Sequence, residues 1–244
     1  MGGMQQPVIT VAAAKGGVGK TTIAIQLAAC LGAVLVDLDH EQGGASGQLL
    51  TEPARRGTVV ESLEIGPDAA PRPRRGPGRP DLVPASAELA TAQVDRELVA
   101  ECLRAWGAEW GRPVVADTAP GYSAAAAGAM IAASVVVVPV VLEPAALRGL
   151  AGMLSEWDGY PLVLAPTMVP NRPPRVLITQ LERIADGHYV AEPISEHRVL
   201  RRRLRRGAVV MAPDAGRALA RAAGEFRRLS EEVTQWLSRQ AVRV

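Results

Sequence analysis

Residues 8–28, VITVAAAKGGVGKTTIAIQLA, pass from a β-branched run through a glycine-rich turn straight into a helical pattern. No other stretch restricts the possible folds as much. A strand that hands the chain to a helix within a few residues starts a β-α-β unit, and such units build parallel sheets covered by helices. The same alternation recurs along the chain. Strands are expected at 7–13, 33–38, 81–85, 113–118, 134–140 and 161–167. Helices are expected at 20–32, 88–106, 124–133, 144–156, 174–186, 198–206 and 214–240. The strand segments are apolar almost without interruption, so both faces of the sheet should be covered. The expectation is an α/β fold with a mostly parallel, doubly wound sheet. Residues 1–244 read as one domain, with GPDAAPRPRRGPGRP (66–80) as an exposed loop.

Composition narrows the function classes. Aromatic residues are only 3% of a chain that is 48% hydrophobic, so the core must be aliphatic. The formal charge of +2 does not by itself announce a nucleic-acid binder. Richness in Ala, Gly, Pro and Arg reads as mutational bias as much as design. Cys30 and Cys102 stand 72 residues apart with neither metal-ligand nor disulfide spacing, and read as spectator thiols. The start, MGGMQQP, has no secretory pattern, and the longest apolar stretch is interrupted by Pro139 and reads as helix then strand. A cytoplasmic protein is expected.

The glycine-rich turn carries chemistry. Backbone N–H groups in such a loop can wrap a phosphate, and Gly16, Gly17 and Gly19, with Val18 between them, let the backbone approach without a Cβ in the way. Lys20 would reach the β- and γ-phosphates of a nucleotide, Thr21 would ligate Mg²⁺, and Thr22 would sit at the α-phosphate. The first position of the usual GxxxxGK[ST] pattern is Ala14 instead of Gly. Lys15 has no job in an ordinary loop of this kind. Yet Lys15 and Lys20 are the only lysines in a chain with 27 Lys plus Arg.

KGGVGKTT is the deviant Walker A motif, and the sequence resembles the ParA/MinD family of dimeric ATPases over nearly its whole length. The resemblance implies that ATP and Mg²⁺ are the cofactors. It also implies an ATP-dependent homodimer in which Lys15 reaches the partner's nucleotide, a role that suits a compact ammonium. VLVDLDHEQGGAS looks like the family's switch segment, which implies that Asp39 orients water and that Asp37 supports the metal shell or the lysine. VVADTAPG matches the family's Walker B segment, with Asp117 holding Mg²⁺ through water. PTMVPNRPPRV resembles the segment near adenine, which makes Asn171 an adenine-edge candidate and Arg172 and Arg175 candidates for DNA. Ser195 stands where the family carries a proline.

The output surface expected from the sequence is HRVLRRRLRRG, residues 197–207. Helical spacing puts Arg198, Arg202 and Arg205 on one strip with Arg201 beside it. Residues 172–206 hold nine arginines against four acids. Guanidinium groups match phosphate oxygens and release counterions on binding, so non-specific double-stranded DNA is the expected partner. A ParB-like centromere-binding protein is the expected stimulator. Together these give a partition ATPase of weak intrinsic activity, associated with the nucleoid, without a helix-turn-helix domain. The rival readings are a MinD-like membrane switch and a positioning ATPase for a protein cargo. The first would use a terminal amphipathic helix carrying Phe226, Leu229, Val233, Trp236 and Leu237. Glu231 and Glu232 interrupt that pattern, so it reads as a packing helix, and no stable membrane association is expected.

Overall fold

The computed structural model describes residues 5–41, 43–201, 207–212 and 216–241. Seven strands run parallel in one sheet: β1 (Val8–Val11), β2 (Val34–Leu38), β3 (Asp81–Val83), β4 (Val114–Thr118), β5 (Val135–Val141), β6 (Leu162–Thr167) and β7 (Tyr189–Val190). Their order is β3-β2-β4-β1-β5-β6-β7, so the first strand lies in the middle of the sheet. The helices are α1 (Lys20–Leu31), α2 (Ala45–Leu49), α3 (Val59–Ile65), α4 (Arg96–Trp110), α5 (Ala124–Ala132), α6 (Pro144–Glu156), α7 (Arg175–Ala185), α8 (Arg198–Arg201) and α9 (Arg217–Ala241). None of the described helices is long and apolar enough to cross a membrane. This is a doubly wound P-loop-type α/β sheet, as the continuous apolar strands led us to expect.

Alternate residues of each strand feed opposite faces. Ile9, Val11, Leu35, Val115 and Val137 meet Ile23 and Leu27 of α1 and Phe226, Leu229 and Val233 of α9. On the other face, Val36, Val114 and Ala116 meet α3, α4 and α5, while Val136, Val138 and Leu164 meet α6 and α7. α9 is therefore a packing helix. Its apolar positions recur every three or four residues and are buried on α1, with Trp236 and Leu237 partly buried against the same cluster. Pro139 sits in a central strand without penalty. Val137 accepts the last β1-side bond, from the Ala12 amide at 3.2 Å, and β1 pairs no further than Val137. Two residues on, Pro139 faces the same side, where no ladder partner requires a donor.

Several boundaries differ from expectation. The helix expected at 88–106 is a 3₁₀ turn (Ala87–Ala90) followed by α4, which starts only after Asp95. The Asp95 side chain accepts from the Leu98 amide at 2.8 Å and caps the helix. α2, α3 and β7 were not expected at all. α3 exists through a capping box: Thr58 accepts from the Glu61 amide while Glu61 reaches back to the Thr58 amide. The 66–80 stretch has no helix or strand, but Arg74 bridges to Leu82 in antiparallel fashion and folds it against the sheet edge. Within the expected helix 198–206, α8 covers the first four residues, and 202–206, with Arg202 and Arg205, lie outside the described residues.

α4 and α5 cross at Gly128. A Cβ there would lie 2.4 Å from the Arg96 carbonyl oxygen and 2.6 Å from the Val99 Cβ. Replacing an exposed helical glycine with alanine stabilises by about 1 kcal/mol, but here overpacking should reverse the sign. Gly128→Ala is expected to destabilise by about 1–3 kcal/mol in urea unfolding, with the same m-value; a gain in stability would contradict this packing.

Candidate functional site

β1 ends at Val11, and the chain then turns through residues 12–19 before α1 begins at Lys20. Gly17 and Gly19 take φ values of +77° and +95°, a left-handed conformation that a Cβ disfavours. Gly19 is the N-cap of α1, which has no side-chain cap and no acid in its first turn. Its first amides and the positive end of its dipole are thus left for an anion. Two strand-end hydroxyls brace the turn. Thr118 donates to the Val11 carbonyl and Thr167 to the Val18 carbonyl, each at 3.0 Å.

Two carboxylates lie beneath this loop. β2 and β4 are neighbours in a register that pairs Asp37 with Asp117, so their side chains project from the same face, about 5 Å apart at the backbone. Both residues are wholly buried. Asp37 is held: its carboxylate accepts from the Asp39 amide at 3.0 Å and the Ser46 amide at 2.6 Å. Both Asp117 oxygens are buried without a hydrogen-bond partner of normal geometry among the described residues. Burial pushes the Asp37 carboxyl up to about 6. Burial, and then the neighbouring Asp37, push Asp117 well above the ordinary range, against weaker pulls from the Thr21 hydroxyl and Lys20. Lys20 is also buried, and burial lowers its pKa while Asp117, Asp39 and Glu41 oppose that shift.

A buried acid pair with orphaned oxygens calls for a cation. No group of three or more His, Cys, Asp or Glu among the described residues could hold a metal ion by itself. A cation here needs ligands from elsewhere, which is the habit of Mg²⁺ held by one or two protein oxygens together with phosphates and water. Thr21 and Asp117 fit that role.

The loop opens into a cavity of about 430 Å³. Gly16, Gly17, Gly19, Lys20, Thr21, Thr22 and Asp39 line it, and Val18 contributes the backbone carbonyl held by Thr167. Asp39 is nearly buried, and one oxygen accepts from the Glu41 amide at 2.9 Å. Gly44 has to be small, because a Cβ there would stand 2.9 Å from the Asp39 carbonyl and 3.1 Å from Asp37 Oδ1. Lys15 is not part of this cavity. It is exposed and lies along α6, beside Gly149, at the rim of a separate recess formed with Val138–Val141.

The sequence pointed to the far wall only in part, through the 166–176 segment and Ser195. Asn171 is exposed and does not line the cavity; Met168 and residues 194–197 do. Met168 takes a φ of +53°, unusual for a side-chain-bearing residue, and its Cε lies against Gly19. The 194–197 segment is tied to α9 by a single carboxylate. Glu225 accepts from the Ser195 amide at 2.8 Å and the Ser195 hydroxyl at 2.9 Å, and its other near contacts are His197 Nε2 at 2.7 Å and Arg221 Nε at 3.3 Å. Burial raises the Glu225 pKa, but the bonds from His197 and Ser195 outweigh it and leave the group below its ordinary value. Sequence offered no signal for this cluster, since its members are 28 to 30 residues apart. Arg172, Arg175 and Arg198 are exposed and outside the cavity; α8 includes Arg201.

A family model described as an AAA domain matches residues 6–159. The chromosome-partitioning ATPase Soj of Thermus thermophilus is 35% identical, over 92% of this chain and 94% of its own length. This chain is a ParA-type P-loop ATPase. Among solved structures, the ATP complex of an aspartate-to-alanine variant of McdA from Cyanothece superimposes with a TM-score of 0.76 over 96% of this chain and 97% of that one, at 16% identity. Cobyrinic acid a,c-diamide synthase from Mycobacterium smegmatis, with a bound ATP analogue and magnesium, reaches a TM-score of 0.70 at 25% identity over 94% of each chain.

The acid pair makes a stability prediction for this ParA-type chain without ligands. Both carboxyls have raised folded-state pKa values, so their stabilising contribution is complete below the ordinary carboxylate range. It is lost as pH rises through about 6 for Asp37. Asp117→Asn should therefore stabilise the nucleotide-free protein at pH 7.5 by about 1–3 kcal/mol, and by less at pH 5. Urea unfolding at the two pH values measures this, and a destabilised variant at pH 7.5 would refute the reading of the pair.

Proposed function

We propose that the chain binds ATP with Mg²⁺, closes as a homodimer, binds DNA without sequence preference, and is released by partner-stimulated hydrolysis. The observation that carries the reading is the buried carboxylate pair, with both Asp117 oxygens lacking a hydrogen-bond partner of normal geometry among the described residues, set directly under an uncapped helix N-terminus. A triphosphate would lie on the loop amides, with Lys20 against its outer phosphates and Thr22 toward the inner one. When bound, Mg²⁺ would neutralise phosphate charge and polarise the terminal phosphoryl group. Thr21 would ligate it directly and Asp117 through water, while Asp37 keeps the Asp39 and Ser46 amides in place.

Asp39 is the residue for the attacking water. One of its oxygens accepts from the Glu41 amide, which fixes the carboxylate and leaves the other oxygen to hold a water at the cavity wall. Its carboxyl is raised by burial, partly offset by the Glu41 amide bond. Weak intrinsic hydrolysis is expected, with a ParB-like partner as the accelerator. Lys15 points along α6 instead of into its own cavity, which suits a lysine that serves a second protomer's phosphates. The adenine would meet the Met168 and Ser195–His197 wall in preference to Asn171.

DNA would be held by Arg172, Arg175, Arg198 and Arg201, with Arg202 and Arg205 from the sequence. A membrane role finds no support in α9, whose apolar residues are already buried on α1. The proposed setting is the nucleoid.

Fluorescence anisotropy of a random-sequence duplex tests this with Asp39→Ala protein, which should hold the ATP state. Binding should be at least about tenfold tighter with Mg·ATP than with Mg·ADP, a difference of about 1.4 kcal/mol. It should weaken steeply with salt, by about 0.9 in log–log slope per phosphate contact. Equal binding in the two nucleotides, or none in either, would overturn the proposal. Lys15→Gln should abolish ATP-driven dimerisation in light scattering while leaving monomeric ATP binding in place; a dimer that persists would remove Lys15 from the interface.

A further inference from the structure

The proline- and arginine-rich loop between α3 and β3 is tied to two other parts of the molecule. Residues 71–80, PRPRRGPGRP, hold four arginines and no acid. Arg79 donates through Nη1 to the carbonyl of Leu49, the last residue of α2, at 2.8 Å, and through Nη2 to the Arg75 carbonyl at 3.0 Å. Gly76 folds over that guanidinium so closely that a Cβ would be 2.2 Å from Arg79 Nε. Arg74 donates to the Arg56 carbonyl, and Trp110 Nε1 to the Pro71 carbonyl at 3.1 Å. These bonds fix the loop's backbone and leave Arg72 and Arg75 outward. The Arg75 side chain is 85% exposed, and Asp81, its acidic neighbour at 3.6 Å, is already paired with Arg112 at 2.7 Å.

The second tie is to the chain that follows the arginine run. The Ala208 amide donates to the Gly78 carbonyl at 2.8 Å, and a Cβ on Gly207 would be 2.1 Å from that same oxygen. Gly207 is the residue after the run in sequence, so the basic loop is docked backbone to backbone against the residues that follow the arginine run, about 130 positions further along the chain. The first tie leads inward. α2, which Arg79 holds by its end, begins beside Ser46, whose amide donates to Asp37 at 2.6 Å. One hydrogen-bonded path thus runs from the acid pair through α2 to the basic loop.

We infer that the 71–80 loop is a second phosphate-binding surface for duplex DNA, with Arg72 and Arg75 as its contact residues and Arg79 as the positioning residue that ties it to α2. This rests on the DNA-binding reading above and extends it to a segment that reading did not use. Backbone phosphates are the partner the chemistry favours: exposed guanidinium groups on a fixed backbone, in a segment made only of Pro, Arg and Gly with no bulky aliphatic or aromatic side chain to enter a lipid surface.

The test compares Asp39→Ala protein with the same protein carrying Arg72→Gln and Arg75→Gln, binding a random duplex with Mg·ATP across a salt series. Circular dichroism checks that each protein is folded. A second pair, Arg96→Gln with Arg239→Gln, removes the same net charge from exposed positions elsewhere. The loop pair should weaken binding about tenfold at low salt and flatten the log–log salt slope by about 1.8, two phosphate contacts' worth; the control pair should leave both nearly unchanged. If the loop pair binds like its parent, or both pairs weaken equally, the loop is not a contact surface, while the DNA reading itself stands. If the parent ignores DNA, or binds only vesicles containing phosphatidylglycerol, the DNA reading fails and takes the loop with it.

Discussion

Two carboxyl groups packed side by side in the core set the terms for the rest of this structure. Parallel neighbours β2 and β4 put Asp37 and Asp117 in register, and burial makes their mutual charge expensive. Asp37 is accommodated by amides from the segment after β2, which fixes where α2 begins and why Gly44 cannot carry a side chain. Asp117 is accommodated far less, with only the weaker pulls of the Thr21 hydroxyl and Lys20 against its burial. The fold holds that cost where a ligand can relieve it, beneath the N-terminus of α1 and near Lys20 and Thr21.

The site is closed by a different kind of interaction on its far side. Glu225 gathers Ser195 and His197 onto α9, and Phe226, the next residue and the chain's one phenylalanine, fills the space between α9 and the sheet. The cavity wall, α9 and the segment leading into α8 are thereby one packed unit. A nucleotide in the cavity would press on that unit at one end and on Asp39 and α2 at the other, and both ends lead to arginine-bearing surface. This would give nucleotide state two physical routes to the surface proposed to bind DNA, each made of packed elements and named hydrogen bonds.

The sequence made some of this legible and hid the rest for identifiable reasons. β1, β4, β5 and β6 stood out because strands covered on both faces are apolar without a break. The loop stood out because glycines at 16, 17 and 19 between a strand and a helix have few other uses. β7 has two residues and only tertiary pairing to define it, so no local pattern could announce it. α2 is five residues long and hangs from the Asp37–Ser46 bond, again a contact between positions nine apart. Asn171 does not line the cavity, and the sequence alone did not assemble the wall opposite the loop. The residues that form it are positioned by a glutamate on the last helix, which only the three-dimensional fold brings near. The 66–80 loop looked merely exposed because its anchors, Leu49 and Ala208, lie far away along the chain.

The central claim is that the acid pair and the glycine loop form one site that needs a divalent cation and a triphosphate together. Equilibrium binding of a fluorescent ATP analogue to the intact protein, with Mg²⁺ and then with a chelator in excess, tests it most directly. Tight binding is expected with Mg²⁺, with a loss of at least about tenfold, or 1.4 kcal/mol, when the cation is removed, because the phosphates then face two carboxylates unshielded. Equal affinity with and without Mg²⁺ would contradict it, and would mean that Asp37 and Asp117 are buried for the fold's sake alone.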